Sequence, residues 1–320
     1  MKLLSVFVLP AALLAAMPVR VSEVPAAERA DGFASPGGAF TAAVEFSAGN
    51  SEFVPLERFE LRDRTGRPVY SRSGDGHTVL DISEQGIVVG ADFDGPVSGA
   101  ARLVFYDAAG NRQGTADIGF YNQRSFSADG SRFCVLDGRA GLRVFTAAGR
   151  ELYNLGTGNR FAVSADGSRI ALAQDREVRL FRDGVPTGRI PLESPFVRQM
   201  VFSADGTRLG LIDRHALRLF RVADSNLEFE FQPDEAGLDF ISLDIGPEAE
   251  FVLAGLDFGV RGRADRHKRG AVVMLDRTGR VVWRRALEYQ NWNFAVPAVR
   301  FGPGRSFQVR TAEAVSHWQY

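Results

Sequence analysis

Apolar residues in this chain arrive in short runs separated by polar breaks, and no stretch sustains the 3.6-residue period of an amphipathic helix. Between Phe126 and Phe229 the breaks repeat one phrase: Ser127-Ala128-Asp129-Gly130-Ser131-Arg132, Ser164-Ala165-Asp166-Gly167-Ser168-Arg169 and Ser203-Ala204-Asp205-Gly206-Thr207-Arg208, starting 37 and 39 residues apart. Each phrase precedes an apolar run, a short polar break and a second apolar run ending in Leu142-Arg143-Val144-Phe145, Val178-Arg179-Leu180-Phe181 or Leu217-Arg218-Leu219-Phe220. Short strands recurring with a period near 40 predict propeller blades, because helical repeats of that length need long 3.6-period runs.

Weaker copies of the turn extend the series on both sides. Ser35-Pro36-Gly37-Gly38 and Ser83-Glu84-Gln85-Gly86 precede the trio; Gly246-Pro247-Glu248-Ala249 and Gly302-Pro303-Gly304-Arg305 follow it, which makes seven units. A second marker lies where a third strand turns into an outer one. Asp63-Arg64-Thr65-Gly66-Arg67-Pro68-Val69-Tyr70 and Asp276-Arg277-Thr278-Gly279-Arg280-Val281-Val282-Trp283 nearly coincide, and Asp107-Ala108-Ala109-Gly110, Thr146-Ala147-Ala148-Gly149, Asp183-Gly184 and Ala223-Asp224-Ser225 fall between them. Gly and Asp suit such reversals because Gly takes positive φ freely and Asp bonds its own turn. The seventh unit ends with Val315-Ser316-His317-Trp318 and has no outer strand of its own, leaving an open edge. Val19-Arg20-Val21-Ser22-Glu23-Val24 alternates apolar and polar and is expected to supply that strand, closing the ring through the two ends of the chain.

The expected fold is therefore all-β: a seven-bladed β-propeller of four-stranded antiparallel blades over residues 17–320. The Ser-x-Asp-Gly turn, the apolar-x-apolar-aromatic third strand and the period resemble WD40-like β-propellers across about residues 30–320. Departures from that family are specific. Tyr106-Asp107, Phe145-Thr146, Phe181-Arg182, Phe220-Arg221, Leu275-Asp276 and Trp318-Gln319 stand where it places Trp-Asp, and the one Gly-His pair, Gly76-His77, lies too close to Ser83. The resemblance is to a divergent bacterial propeller, nearer the quinoprotein-like or surface-antigen-like groups than to a eukaryotic-type scaffold.

Composition narrows the partners. Of 320 residues, 45% are hydrophobic, ample for a core, and 38 basic residues balance 39 acidic ones, so no net field favours nucleic acid or an anionic membrane. Only Lys2 and Lys268 are lysines, read as codon bias. The single cysteine, Cys134, excludes an internal disulfide and a thiolate metal cage, and sits in the apolar run Phe133-Cys134-Val135-Leu136, as a core residue would. Residues 1–16 have the layout of a secretory signal: Lys2, an apolar run too short to span a membrane and broken by Pro10, then Ala15-Ala16. No cysteine follows for a lipid anchor. A secreted or periplasmic monomer with no membrane span after signal removal is expected.

Loops joining second to third strands, and each blade to the next, should share one face, where binding residues are sought. Arg261, Arg263, Arg266, His267, Lys268 and Arg269 crowd residues 259–270, either an anion-docking loop or a solvated one. Tyr289 and Trp292 in Tyr289-Gln290-Asn291-Trp292-Asn293-Phe294 suit a sugar or a protein hot spot, or an aromatic plug; Tyr121-Asn122-Gln123-Arg124 reads as a similar connection after blade two. Asp213-Arg214-His215 and Asp265-Arg266-His267 repeat a triplet. With Asp257, the residues Asp213, His215 and His267 are the set that could hold a metal or act as bases. Glu45, Asp92, Asp137, Asp175, Asp213, Asp257 and Glu313 close successive second strands, either as a cation ring or as acceptors for turn N–H groups. Arg124, Arg160 and Arg198 precede three first strands, with salt bridges to neighbouring carboxylates as their default role.

No nucleophile constellation, phosphate-cradling loop or zinc cluster stands out. Three tryptophans and one cysteine speak against a quinone-dependent dehydrogenase, so no cofactor is expected. The preferred reading is a scaffold that binds a protein or carbohydrate through its loop face. The alternative is a hydrolase or lyase at the central channel, which requires Asp213, His215, Asp257 and His267 to converge.

Overall fold

In the computed structural model the described residues are 17–25, 32–35, 38–46, 56–73, 78–93, 101–213, 215–235, 237–258, 269–288, 297–311 and 313–320. They form seven four-stranded antiparallel sheets and no helix. Six sheets are simple meanders of consecutive strands, beginning at Gly32–Ala34, Thr78–Ile82, Tyr121–Phe126, Arg160–Val163, Gln199–Phe202 and Leu238–Ile245. The seventh, beginning at Ala298–Phe301, takes its outer strand from the other end of the chain: Val19–Pro25 runs antiparallel to Ala314–Gln319, from Val19 opposite Gln319 to Pro25 opposite Ala314. The alternation in Val19–Val24 thus completes blade seven, and blade seven keeps no unpaired C-terminal edge.

First strands of successive blades touch one another from blade one through blade seven, so they form the inner wall and the fourth strands form the rim. Second and third strands are buried on both faces, as in Phe133, Cys134, Val135 and Leu136, all at most 1% exposed, because each blade is sandwiched between two others. Burial pushes the Cys134 thiol up to about 12, consistent with a core residue. Aromatic contacts carry the packing from blade to blade: Phe105 of blade two meets Phe133 and Phe145 of blade three at 5.7 and 5.8 Å between ring centroids.

The repeated turns are local hydrogen-bond devices. In blade three Ser127 Oγ donates to Asp129 Oδ1 (2.6 Å) and accepts from Arg132 N (3.0 Å), while Asp129 Oδ1 also accepts from Ser131 N (2.9 Å). The copies at Ser164–Asp166 and Ser203–Asp205 repeat the hydroxyl bond at 2.5 and 2.6 Å. That bond from Ser164, with those from Ser168, brings the Asp166 pKa down to about 2. The second marker is equally regular: Asp63 Oδ1 accepts from Thr65 N (2.8 Å) and Arg67 N (3.1 Å), and Asp276 Oδ1 from Thr278 N (2.9 Å) and Arg280 N (3.1 Å). Gly110 shows why glycine closes these turns. Its φ is +80°, and a Cβ there would lie 2.6 Å from Tyr70 Cδ2 of the preceding blade.

Candidate functional site

Opposite these turns lies the loop face, where second-to-third-strand turns meet the connections between blades. Asp137 joins them in blade three: Oδ1 accepts from Arg139 N (2.8 Å) and Ala140 N (3.3 Å) within its turn, and Oδ2 from Gly119 N (3.0 Å) in the incoming connection. Gly138 N also donates to Phe120 O (2.6 Å), and Asn159 Nδ2 donates to Pro195 O (3.3 Å) of the next connection. Two phenylalanines of this face are exposed, Phe120 at 64% and Phe196 at 47%, and among the described residues no other phenylalanine is an exposed large hydrophobic.

The acidic residues read as a ring serve their turns where their bonds are described. Asp213 Oδ1 accepts from His215 N (2.7 Å) and Ala216 N (2.8 Å), and its Oδ2 from Arg218 Nη1 (2.7 Å). Burial opposes ionisation of Asp213, but the Arg218 guanidinium and the two N–H donors outweigh it and hold the pKa below the ordinary value. In blade seven the equivalent acceptor is Thr311, not Glu313: Thr311 Oγ1 takes bonds from Glu313 N (3.3 Å) and Ala314 N (3.1 Å). Asp175 sits at φ 52°, in the left-handed turn position that Asp tolerates.

Arg218 is the hub of the blade-five rim. Besides Asp213 it binds Glu230 (2.6 Å) and Glu193 (3.5 Å), on a cleft of ≈440 Å³ whose wall includes Phe196 and the exposed His215. Among the described residues no group of three or more His, Cys, Asp or Glu is placed to hold a metal. Asp257 is buried in the second strand of blade six, 3% exposed. Arg261, Arg263, Arg266, His267, Tyr289 and Trp292 lie outside the described residues. Arg269 opens the third strand of blade six, exposed, opposite Glu288.

Tyr121 and Arg124 are not in a connection. They belong to the inner strand of blade three, and the connection is the shorter Gly119-Phe120. The polar look of this stretch has a physical reason: inner-strand side chains bond to neighbouring blades. Arg124 Nε donates to Leu80 O of blade two (2.8 Å), and its guanidinium lies 5.3 Å over the Tyr121 ring. Gln123 spans to blade four with both amide atoms, accepting from Phe161 N (3.0 Å) and donating to Phe161 O (2.9 Å). Gln199 repeats this from blade five to blade six at Leu243 N (2.9 Å) and Leu243 O (3.2 Å). Arg160 Nε reaches Arg198 O (3.3 Å), so Arg124 and Arg160 use backbone carbonyls where carboxylates were expected.

Asp244 joins blade six to blade seven, with Oδ2 accepting from Phe301 N (2.7 Å) and Oδ1 from Ile245 N (2.9 Å). Burial raises its pKa to about 6 despite these donors and Arg300. Asp81, in the corresponding place in blade two, is raised for the same reason, against the N–H groups of Ile82 and Phe126 and the charge of Arg124. None of Asp81, Asp244, Gln123 and Gln199 was singled out as a site residue. The shared triplets Leu80-Asp81-Ile82 and Leu243-Asp244-Ile245, a carboxylate within an apolar strand, were the available signal.

No protein-family model matches the chain, and no curated protein matches it. Its structure is similar to that of the β-propeller domain of Myceliophteria thermophila Cps50 (Swd1), with a TM-score of 0.60 and 13% sequence identity, covering 95% of this chain and 99% of that one. At that identity the likeness shows the fold, and 1156 solved chains match this architecture, so fold alone selects no ligand.

Proposed function

We propose that this chain is a secreted or periplasmic propeller scaffold that binds another protein through its loop face. What supports the reading is the difference between the two faces. The opposite face is built of short turns whose carboxylates are consumed by their own N–H and hydroxyl groups, as at Asp129, Asp166 and Asp205. The loop-face carboxylates Asp137 and Asp213 are bonded to their turns in the same way, but this face also exposes Phe120 between blades two and three and Phe196 on the wall of a cleft lined by Glu193 and His215. Aromatic side chains held on a rigid scaffold are the usual anchors of protein interfaces, and a propeller positions them without spending conformational entropy on binding. The rim carries exposed aliphatic residues at Val69, Val185, Leu227 and Val281, each at the start of an outer strand. Val19 and Val21 of the blade-seven outer strand are exposed as well.

Photo-crosslinking in the native compartment tests the proposal, with the reactive residue placed at Phe120, at Phe196 and, as a control on the far side, at Val185. A discrete protein adduct from positions 120 and 196 but not 185 is expected. Equal labelling at all three, or none at the loop face, removes the reading. The compartment is tested separately by N-terminal sequencing of the mature chain, with a start at Met17 expected.

A further inference from the structure

The third strands of blades three, four and five each carry an arginine at the same step of the apolar-x-apolar-Phe pattern: Arg143, Arg179 and Arg218. Their surroundings differ. Arg143 has two carboxylates, Asp137 at 3.6 Å and Glu151 at 2.6 Å. Arg179 lies opposite Arg189 of the outer strand and donates from Nη2 to Thr157 O (3.0 Å). Arg218 has three carboxylates: Asp213 at the end of the second strand, Glu230 directly opposite on the outer strand, and Glu193 in the incoming connection. Three carboxylates against one guanidinium leave a local surplus of two negative charges, in a chain whose formal net charge is only -1.

The ≈440 Å³ cleft is where that surplus meets solvent, and its volume is within the roughly 300–1,000 Å³ of ligand clefts. Asp213 and Arg218 are largely enclosed, with 14% and 12% of their side chains exposed, so salt screens them weakly. The Glu193 side chain is 88% exposed and meets Arg218 only at 3.5 Å, so its carboxylate is open to a ligand. Gln232, whose Nε2 donates to Glu230 Oε1 (2.6 Å), brings an amide oxygen to the same cleft as a second acceptor. Phe196 and Ala216 supply apolar wall. Acceptors and surplus negative charge beside apolar surface suit a long side chain with a cationic head, which lays its methylenes on the wall and its charge on the carboxylate. A neutral donor would leave the surplus uncompensated.

We propose that this cleft seats an arginine or lysine side chain of the docking protein, its head paired with Glu193 and its stem along the Phe196 wall. That a protein carries this side chain rests on the loop-face reading; that the cleft selects a cation does not.

The test is a titration of the isotope-labelled full chain with blocked tripeptides, acetyl-Gly-X-Gly-amide with X as Arg, Lys, Gln or Glu, followed at the side-chain amide resonance of Gln232. Gln232→Ser identifies that resonance by its loss. Saturable movement with the Arg or Lys peptide, and none with the Gln or Glu peptide, is expected. Glu193→Gln should weaken the cationic peptide roughly two- to fivefold, the loss of one exposed ion pair, while Glu151→Gln at the blade-three arginine leaves it unchanged. Glu193 is exposed, so an unchanged melting curve shows that the fold is kept. An equal response to the Gln peptide, no response to either cationic one, or wild-type binding in Glu193→Gln overturns the cleft assignment. Photo-crosslinking at Phe120 and Phe196 separates this from the docking reading. An adduct there without a cation preference sinks the cleft assignment alone; a cation preference without an adduct keeps the cationic cleft and removes the docking protein.

Discussion

Asp244 allows the inner wall to be tested by pH. Its carboxylate is held against blade seven by Phe301 N at 2.7 Å, in a site where burial lifts the pKa from 3.8 to about 6. A raised acid binds its proton more tightly in the folded chain than in the unfolded one. Its stabilising contribution is therefore complete below the unfolded value and is lost as pH rises through the folded value. The full shift corresponds to about 3 kcal/mol, of which about 2 kcal/mol falls between about pH 7 and pH 4.5. Solvent at the residue's remaining exposed edge makes these upper values. Asp244→Asn removes the titration. It also leaves one acceptor oxygen for two N–H groups, at a cost of about 1–3 kcal/mol. Near neutral pH that loss and the relief of a buried charge should almost cancel; on acidification the wild type should pull ahead by about 2 kcal/mol. Urea unfolding of both proteins across this range gives the answer, because their difference removes every group they share. A difference that stays flat within about 0.5 kcal/mol, or that shrinks on acidification, would refute the assignment of a raised carboxylate at this junction.

Gly110→Ala should cost about 2–4 kcal/mol, from a left-handed alanine and a Cβ 2.6 Å from the Tyr70 ring, and an unchanged urea midpoint would contradict the turn geometry. Gln199→Ala should cost about 2–4 kcal/mol by leaving Leu243 N and Leu243 O unpaired, whereas the exposed Gln113→Ala should shift stability by no more than about 0.5 kcal/mol; equal melting temperatures for the two would remove the bridging role. A chain starting at Ala26 loses the strand paired with Ala314–Gln319, so it should melt earlier and self-associate on size-exclusion chromatography through that open edge; full-length behaviour would exclude closure by Val19–Pro25.

What the sequence made legible was local. Ser127, Asp129 and Gly130 make their turn within a few residues, so the chemistry and the letters coincide. Val19–Val24 was legible because strand alternation and a missing outer strand pointed to the same place. The inner wall was not, because its bonds join distant positions: Gln123 meets a residue 38 positions away, Gln199 one 44 away and Asp244 one 57 away. Gln123 and Arg124 looked like loop residues because polar side chains in a strand suggest solvent, whereas here they face a neighbouring backbone. Thr311 in place of a carboxylate was hidden for a related reason: Glu313 fits the spacing, but a hydroxyl two residues earlier takes the turn's N–H groups.

The bonds between blades also bear on where function can vary. A ring of repeats that touched only through apolar faces could slip, because dispersion contacts are non-directional. Each directional bond across a junction fixes the register of one blade against the next. Such bonds occur at the inner wall, through Gln123, Gln199 and Asp244, and at the turn face, where Asp129 N donates to Ala165 O at 2.9 Å. The connections carrying Phe120 and Phe196 are tied to their blades through backbone carbonyls, at Phe120 O and Pro195 O, while the two residues themselves stay exposed. Substitution there should leave the register of the ring intact while changing what the face presents, the division of labour that a binding scaffold requires. On that basis Phe196→Ala should keep the wild-type melting temperature within about 2 °C, since exposed substitutions away from caps and cores move stability by about 0.5 kcal/mol or less. A large loss of stability would mean that the Phe196 ring is part of the blade junction, and the loop face would lose one of its two anchors.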